Sequence, residues 1–351
     1  MANIRELLKR PGPVIFDGAT GTALAPFIKE AGSPSCLLNL TDDGREKVMA
    51  HYENWVESGS KAFLTNTFNA NSWRLKLANM NDPNTLWEAN YNAAKDAVTV
   101  AGIEHCAVGD IGPSGLQVRE DMEEKLLVAS ARRQNIHTDK ISNLNEYPTA
   151  ESLIPGFKLQ ASALIEGGVR DILIETMSSI HELGAANRAV HLAINDLKLN
   201  NKLSPDEQVS IMATMSFDAG NALRPSTFNG NTPIDFIDAT YSLGFVARGA
   251  NCGNNAYGLH QILLILRDLQ KINPTDKPKR IMPDLGPEFF IIKPNAGKPE
   301  MTASGPTYTI SPKEMATIAV MTWEAGAKII GGCCGTTYAD IAAMANALAK
   351  R

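Results

Sequence analysis

Lys328-Ile329-Ile330-Gly331-Gly332-Cys333-Cys334-Gly335 is a short apolar run that stops at two glycines and two thiols. A run of this length, closed by glycine, reads as a buried strand, and the thiols after it as the start of the following loop. The same unit recurs along the chain. Apolar runs at Val14–Phe16, Ala62–Thr65, Ala107–Val108, Asp171–Ile174, Ile211–Thr214, Phe245–Ala247 and Phe289–Ile292 precede it. Helical patterns lie between them, at 42–58, 83–100, 180–197, 233–243, 259–269, 312–325 and 339–348, with one further helix expected between Asp110 and Asp171. Strand and helix alternating in this way build a parallel sheet. Eight such units predict an α/β fold, a (β/α)8 TIM barrel with a long insertion after the third strand; a doubly wound open sheet is the second choice. A barrel places its chemistry on the loops after the strands. Those loops begin with Asp17-Gly18-Ala19, Asn66-Thr67-Phe68-Asn69, Asp110-Ile111-Gly112, Glu175-Thr176, Ser216-Phe217-Asp218, Asn251-Cys252-Gly253, Asn295-Ala296-Gly297 and Cys333-Cys334-Gly335. Polar, acidic and thiol groups thus gather at one end of every strand.

Cys333 and Cys334 cannot both face one way in a regular strand, where successive side chains alternate. The flanking glycines permit the turn that would bring them together. Cys252 stands in a similar setting, Gly249-Ala250-Asn251-Cys252-Gly253. In a barrel, strands six and eight open on the same mouth, so Cys252, Cys333 and Cys334 converge there. Three thiolates suit Zn²⁺, and three protein ligands with an open fourth position is the pattern of catalytic rather than structural zinc. Two other readings stay open: cysteines that fill a core, and a disulfide from Cys252 to one of the pair. Cys36 and Cys106 read as core residues. The chain has 5 cysteines, an odd count, and Met1–Pro13 lacks the apolar centre of a signal peptide; both favour a reducing, cytoplasmic location.

Composition excludes other classes. The hydrophobic fraction of 44% and charged fraction of 20% over 351 residues allow a sizeable core, read as one domain over 1–351. A net charge of −5 leaves no basic stripe for nucleic acid. No apolar run approaches the ~20 residues that span a bilayer. The stretch 116–157 is longer and more charged than the other connections, with Arg119–Lys125 and the polar run Asn135–Asn145. It reads as a surface excursion or as a lid over the mouth.

The chain resembles the homocysteine S-methyltransferases from about Val14 to near its C-terminus. The residues that carry the resemblance are Phe16-Asp17-Gly18-Ala19-Thr20-Gly21-Thr22, Thr65-Asn66-Thr67-Phe68, Ile111-Gly112-Pro113, Ile174-Glu175-Thr176-Met177, Gly249–Gly253, Pro294-Asn295-Ala296-Gly297 and Gly331–Thr337. The resemblance implies that Cys252, Cys333 and Cys334 bind Zn²⁺ and that the thiol of homocysteine takes the open position. It further implies that Asp17 and Glu175 accept the substrate ammonium, and that Gly18 and Ala19 present main-chain N–H groups to its carboxylate. Asn251 and Asn69 read as orienting residues or as turn residues.

The partners expected are homocysteine and a small methyl donor. A sulfonium or quaternary ammonium donor calls for aromatic faces, and Phe68, Trp73, Phe217, Tyr257 and Tyr308 fall on or near the upper loops. Asn69 and Thr176 stand where animal betaine–homocysteine methyltransferases carry tyrosines, which brings these positions closer to the methionine synthase domain. Glu175-Thr176-Met177-Ser178 and Met215-Ser216-Phe217-Asp218 look instead like stand-alone bacterial betaine-type enzymes. The expectation is an onium donor. The alternatives are a homocysteine-binding subunit served by a separate corrinoid protein, the chain being without the further domains of a complete methionine synthase, and a non-catalytic zinc protein. A homo-oligomer is left open. A histidine-based metal hydrolase is disfavoured, because the 6 histidines fall mostly in helical or insertion segments.

Overall fold

The apolar runs become eight parallel strands. We label them β1 Val14–Ile15, β2 Ala62–Leu64, β3 Cys106–Ile111, β4 Asp171–Met177, β5 Ser210–Met215, β6 Ala247–Cys252, β7 Phe289–Pro294 and β8 Ala327–Ile330. The computed structural model describes residues 2–28, 33–76, 78–123, 125, 144–221, 224–253, 256–271, 289–302 and 305–351. In space the order is β1-β8-β7-β6-β5-β4-β3-β2, each neighbour pair parallel. The ends of this order, β1 and β2, approach each other as well. Lys61 N donates to Ile15 O at 2.7 Å, and the Asp17 carboxylate accepts from Leu64 N at 2.8 Å. The sheet is thus a nearly closed barrel, and the open doubly wound alternative is excluded.

Helices follow the strands and cover the outside: α1 Asp42–Glu57, α2 Pro83–Ala101, α3 Ala150–Glu166, α4 Ile180–Leu199, α5 Pro233–Thr240, α6 Ala256–Lys271, α7 Pro312–Glu324 and α8 Tyr338–Leu348. Their starts are chemically marked. Thr41, Asp82, Thr149, Ser179, Thr232, Ser311 and Thr337 each accept a hydrogen bond from a first-turn N–H, the N-cap arrangement that satisfies an otherwise orphaned donor. The helix expected between Asp110 and Asp171 is α3. The earlier part of the 116–157 insertion, at 124 and 126–143, lies outside the described residues, and with it most of the lid reading.

Period two sorts the strand side chains into two cores. Val14, Leu64, Val108, Leu173, Met212, Ala247, Ile291 and Ile329 pack inside the barrel with Ala2, Ile4, Leu7 and Leu8 from the helix Ile4–Lys9, which plugs the lower end. Ile15, Phe63, Ala107, Ile172, Ile211, Ala250 and Ile330 face outward under the helices. Following the inward series upward gives Asp110 on β3, Glu175 on β4, Thr214 on β5, Asn251 on β6 and Lys293 on β7. All five are buried. This polar layer corrects three expected strand ends. The apolar runs stop at Val108, Ile174 and Ala247, but the strands continue to Ile111, Met177 and Cys252. The hydrogen-bonded ladder persists after the inward side chains have turned polar. The run Phe245–Ala247 marks only the entrance of β6.

Candidate metal centre

Cys252 closes β6, and Cys333 and Cys334 sit just past β8. Their sulfurs all lie within 4.8 Å of one another, with Cys252 Sγ and Cys334 Sγ 3.8 Å apart. Tetrahedral zinc with Zn–S bonds of about 2.3 Å separates its sulfurs by about 3.8 Å, so the spacing fits that ion. All five cysteines are free in the structure, with no disulfide among them. Cys36 and Cys106 are buried away from the trio, as expected of core residues. Among the described residues no histidine joins the group.

The local chain geometry explains how three thiols meet. Gly331 runs so close to β1 that an added Cβ would lie 2.8 Å from Phe16 Cβ and 2.9 Å from Asp17 O. Gly335 has φ +78, and an added Cβ would lie 2.1 Å from the Tyr308 ring. Only glycine fits either place. Main-chain bonds then hold the thiol loop to β7 and its exit: Cys333 N donates to Pro294 O at 2.8 Å, and Ala296 N to Cys334 O at 3.0 Å. Asn295 Nδ2 reaches across to Gly253 O at 2.7 Å, fixing the turn after Cys252.

Asn251 connects the thiols to the next wall. Its Oδ1 accepts from Thr176 N at 2.9 Å and Thr214 Oγ1 at 2.7 Å, while Nδ2 donates to Thr176 Oγ1 at 2.6 Å and approaches Cys333 Sγ at 3.5 Å. Thr176 and Cys252 both have φ +61, a conformation that is strained for a side-chain-bearing residue and most of all for a β-branched one. Asn251 stands next to one and bonds the other on two atoms, which is the over-determination such strain requires.

Electrostatics favour a cation among the sulfurs. The hydrogen bond that Cys333 donates to Cys252, with burial added, outweighs the lowering contact with Cys334 and holds the Cys333 thiol well above its ordinary range. The contact with Cys252 lowers Cys334, but the thiol and charge of Cys333 and burial outweigh it, leaving Cys334 at about 12. Three such thiols ionise together only with a positive charge between them.

Beside the trio lies a cleft of about 320 Å³ whose walls include Gly18, Ala19, Phe68, Asp110, Glu175 and Lys293. Of the residues expected to hold an amino-acid substrate, Gly18, Ala19 and Glu175 line it. Asn251 lies behind it, bracing Thr176 and Cys333. Asp17 does too, wholly buried, its Oδ2 on Leu64 N and its Oδ1 3.3 Å from Lys293 Nζ. Lys293 Nζ is also 3.2 Å from Glu175 Oε2. Burial opposes a charge on Lys293, but Asp17 and Glu175 outweigh it and keep the ammonium protonated. Burial raises both carboxyls, and Lys293 pulls them back down. Sequence reasoning missed Lys293. The signal was available: Phe289, Ile291 and Lys293 form one inward series on β7.

The aromatic residues expected near the mouth disperse. Phe68 lines the cleft. Trp73 packs on Phe157 with centroids 5.1 Å apart, and Phe217 on Phe236 at 6.2 Å. Tyr257 is exposed and donates to Glu314 at 3.1 Å. Tyr308 stays at the mouth: it covers Gly335, and its hydroxyl donates to Cys334 beside the thiol trio. No helix among the described residues is long and apolar enough to cross a membrane.

The sequence profile described as Homocysteine S-methyltransferase matches residues 14–348. The chain is 24% identical over 348 residues to the methionine synthase of Mycobacterium tuberculosis (strain ATCC 25618 / H37Rv), a match covering 96% of this chain and 25% of that protein. For the methionine synthase of Mycobacterium leprae (strain TN) the figures are 23% identity, 96% and 24%. The chain therefore spans about a quarter of the length of these relatives. Among solved structures, the oxidised form of the homocysteine methyltransferase MmuM from Escherichia coli aligns with a TM-score of 0.66 at 19% identity, covering 98% of this chain and 99% of that one. Its metallated form gives 0.65 at 19% identity with the same coverage. Both share the barrel.

Proposed function

The chain belongs to the homocysteine S-methyltransferase family, and from that premise we propose that it transfers a methyl group from a small onium donor to the thiol of L-homocysteine, giving methionine. The observation that carries this reading is the trio of sulfurs at metal spacing beside a cleft walled by acids. Cys252, Cys333 and Cys334 would hold Zn²⁺ with one position open. Zinc in such a site keeps a substrate thiol deprotonated and in place at neutral pH.

The remaining work belongs to the chain. Asn251 holds Cys333 and Thr176 in register. Glu175 faces the substrate ammonium, and Asp17 supports it from behind through their shared partner Lys293. Gly18 and Ala19 stand on the wall where the substrate carboxylate would lie and would offer it main-chain N–H groups, that of Ala19 giving up its 3.4 Å bond to Thr336 O. Phe68 offers an apolar face to the methyl-bearing cation. In the transfer a new S–CH₃ bond forms as the donor's bond to the same carbon breaks, and the donor departs with the electron pair. Fixing both partners in line is the main contribution a protein makes to such a displacement.

One observation favours a second reading, in which a corrinoid protein delivers the methyl group. Of the five aromatic residues expected to face an onium cation, Phe68 alone lines the cleft. The test is mass-spectrometric detection of methionine from zinc-loaded protein, homocysteine and separate donors: betaine, dimethylsulfoniopropionate, S-methylmethionine, S-adenosylmethionine and methylcobalamin. Methionine from one onium compound supports the first reading, and methionine from methylcobalamin alone supports the second. Failure of the zinc-loaded protein to bind homocysteine overturns both.

A further inference from the structure

The inner wall of the cleft and the layer just behind it carry three carboxyl groups and one lysine. Lys293 lies between two of them, 3.3 Å from Asp17 Oδ1 and 3.2 Å from Glu175 Oε2. The other oxygen of Asp17 is taken by Leu64 N. Asp17 Oδ2 is thus taken, its Oδ1 accepts no hydrogen bond but is ion-paired with Lys293, and Glu175 shares its charge with the same resident cation. An incoming ammonium, with three donors to place, meets a pair of acids already partly neutralised.

Asp110 is different. It is 4% exposed and lines the same cleft. Its Oδ1 meets no hydrogen-bond donor among the described residues. Its main chain is fixed on both sides, since Asp110 N donates to Thr65 Oγ1 at 3.0 Å and Thr67 Oγ1 donates to Asp110 O at 2.7 Å. The backbone that carries the bare carboxyl is therefore held in place beside the cleft. Buried polar groups almost always have one, and an exception at a cleft marks a place for a ligand. Burial and the neighbouring Glu175 hold this carboxyl well above the usual carboxylate range, against the pull of Lys293.

We propose that Asp110 is an acceptor for the α-ammonium of the amino-acid substrate, and that it selects amino thiols over plain thiols because Lys293 occupies Asp17 and Glu175. The inference rests on the cleft being the homocysteine site. Lys293 sets how many acceptors remain, and Asp110 supplies one on the cleft wall that no described residue bonds or pairs with.

The experiment compares two thiols on zinc-loaded full-length protein by calorimetry: homocysteine and 4-mercaptobutanoate, which lacks only the amino group. Wild type is expected to prefer homocysteine. In Asp110→Asn, homocysteine binding should weaken by about ten- to a hundredfold, the loss of one charge-assisted hydrogen bond. Affinity for 4-mercaptobutanoate should stay within about twofold, because zinc and the carboxylate contacts are untouched. Asp110→Ser is the second variant, smaller and neutral, and must show the same selective loss if asparagine is not accommodated. Equal weakening of both thiols, or unchanged homocysteine affinity at full zinc content, overturns the assignment and leaves the methyl-transfer reading standing. Wild type that binds neither thiol overturns both.

Discussion

At the lower end of the barrel interior Asp171 Oδ2 accepts from Ile4 N and from the Cys106 thiol, each at 3.1 Å, while Arg5 Nε donates to Ser210 Oγ at 3.0 Å. At the upper end of the same strands stand Asp110, Glu175, Lys293, Asn251 and three thiols. Both ends interrupt an apolar interior with buried acids, and each keeps carboxylate oxygens without a hydrogen-bond donor, Asp171 Oδ1 below, Asp17 Oδ1 and Asp110 Oδ1 above. The lower group is capped by the N-terminal helix. The upper group opens on the cleft and includes two residues held at positive φ. A lone buried thiol that donates to a carboxylate is a structural part; three thiols that can only donate to each other need an ion. Enclosure, rather than residue type, separates the stabilising end from the chemical one.

The comparison breaks most sharply on the cysteines. Cys333→Ala is expected to abolish zinc retention and methionine formation together, read by metal analysis and by the methyl-transfer assay. Cys106→Ala should keep both and cost about 1–2 kcal/mol of stability, through a small cavity and the lost bond to Asp171. Turnover by zinc-depleted Cys333→Ala at the wild-type rate would remove the metal site. Next in size, Asp171→Ala should lower unfolding stability by about 3 kcal/mol or more, since Ile4 N and the Cys106 thiol lose their shared acceptor. The urea midpoint measures this, and KM for homocysteine should not move. A changed KM would mean that the two ends are coupled.

Asn251→Ala tests the brace behind the thiols. Residues that orient metal ligands are worth about ten- to a hundredfold in metal affinity, so zinc affinity measured by chelator competition should fall within that range. An unchanged value would make Asn251 a purely structural link between β4 and β6. An effect that is nil at neutral pH and grows only in acid belongs to the wall outside both ends. His51 is pushed down to about 3 by burial, accepting from Trp55 Nε1 at 3.0 Å and lying 2.7 Å from the Tyr338 hydroxyl. The unfolded chain takes up this proton near pH 6.5, the folded one only near 3. Stability therefore falls by about 1.4 kcal/mol for each pH unit between about 6.5 and about 3. His51→Gln should flatten the melting-temperature profile across that window, and an equally steep profile would assign acid lability to the buried carboxyls instead.

Element count and order were legible because each strand begins with an apolar run and most helices begin on Ser, Thr or Asp. The thiol trio was legible because glycine and cysteine are rare neighbours and stood after two such runs. The strand ends were not, for a reason the upper layer makes plain. Apolar content marks where a strand is buried against hydrocarbon, and β3, β4 and β6 finish against Asp110, Glu175 and Asn251. Lys293 was hidden for the same reason: a lysine after Phe289–Ile292 looks like the first residue to reach water, although the structure leaves it 2% exposed. The dispersal of Trp73, Phe217 and Tyr257 depends on packing partners far away in the chain, which no local pattern reports.

β1 and β2 meet through Lys61 N and through the side chain of Asp17, where every other neighbouring pair has a ladder of main-chain bonds. The circle of strands is therefore fastened at one point by a carboxylate, as a bracelet is by its clasp. The amide of Leu64 owes its protection from hydrogen exchange to an ionisable side chain, and the barrel should breathe first along that line. Any change at Asp17 loosens the clasp and alters the charge around Lys293 in a single stroke, so at this position integrity of the barrel and tuning of the cleft are inherited together.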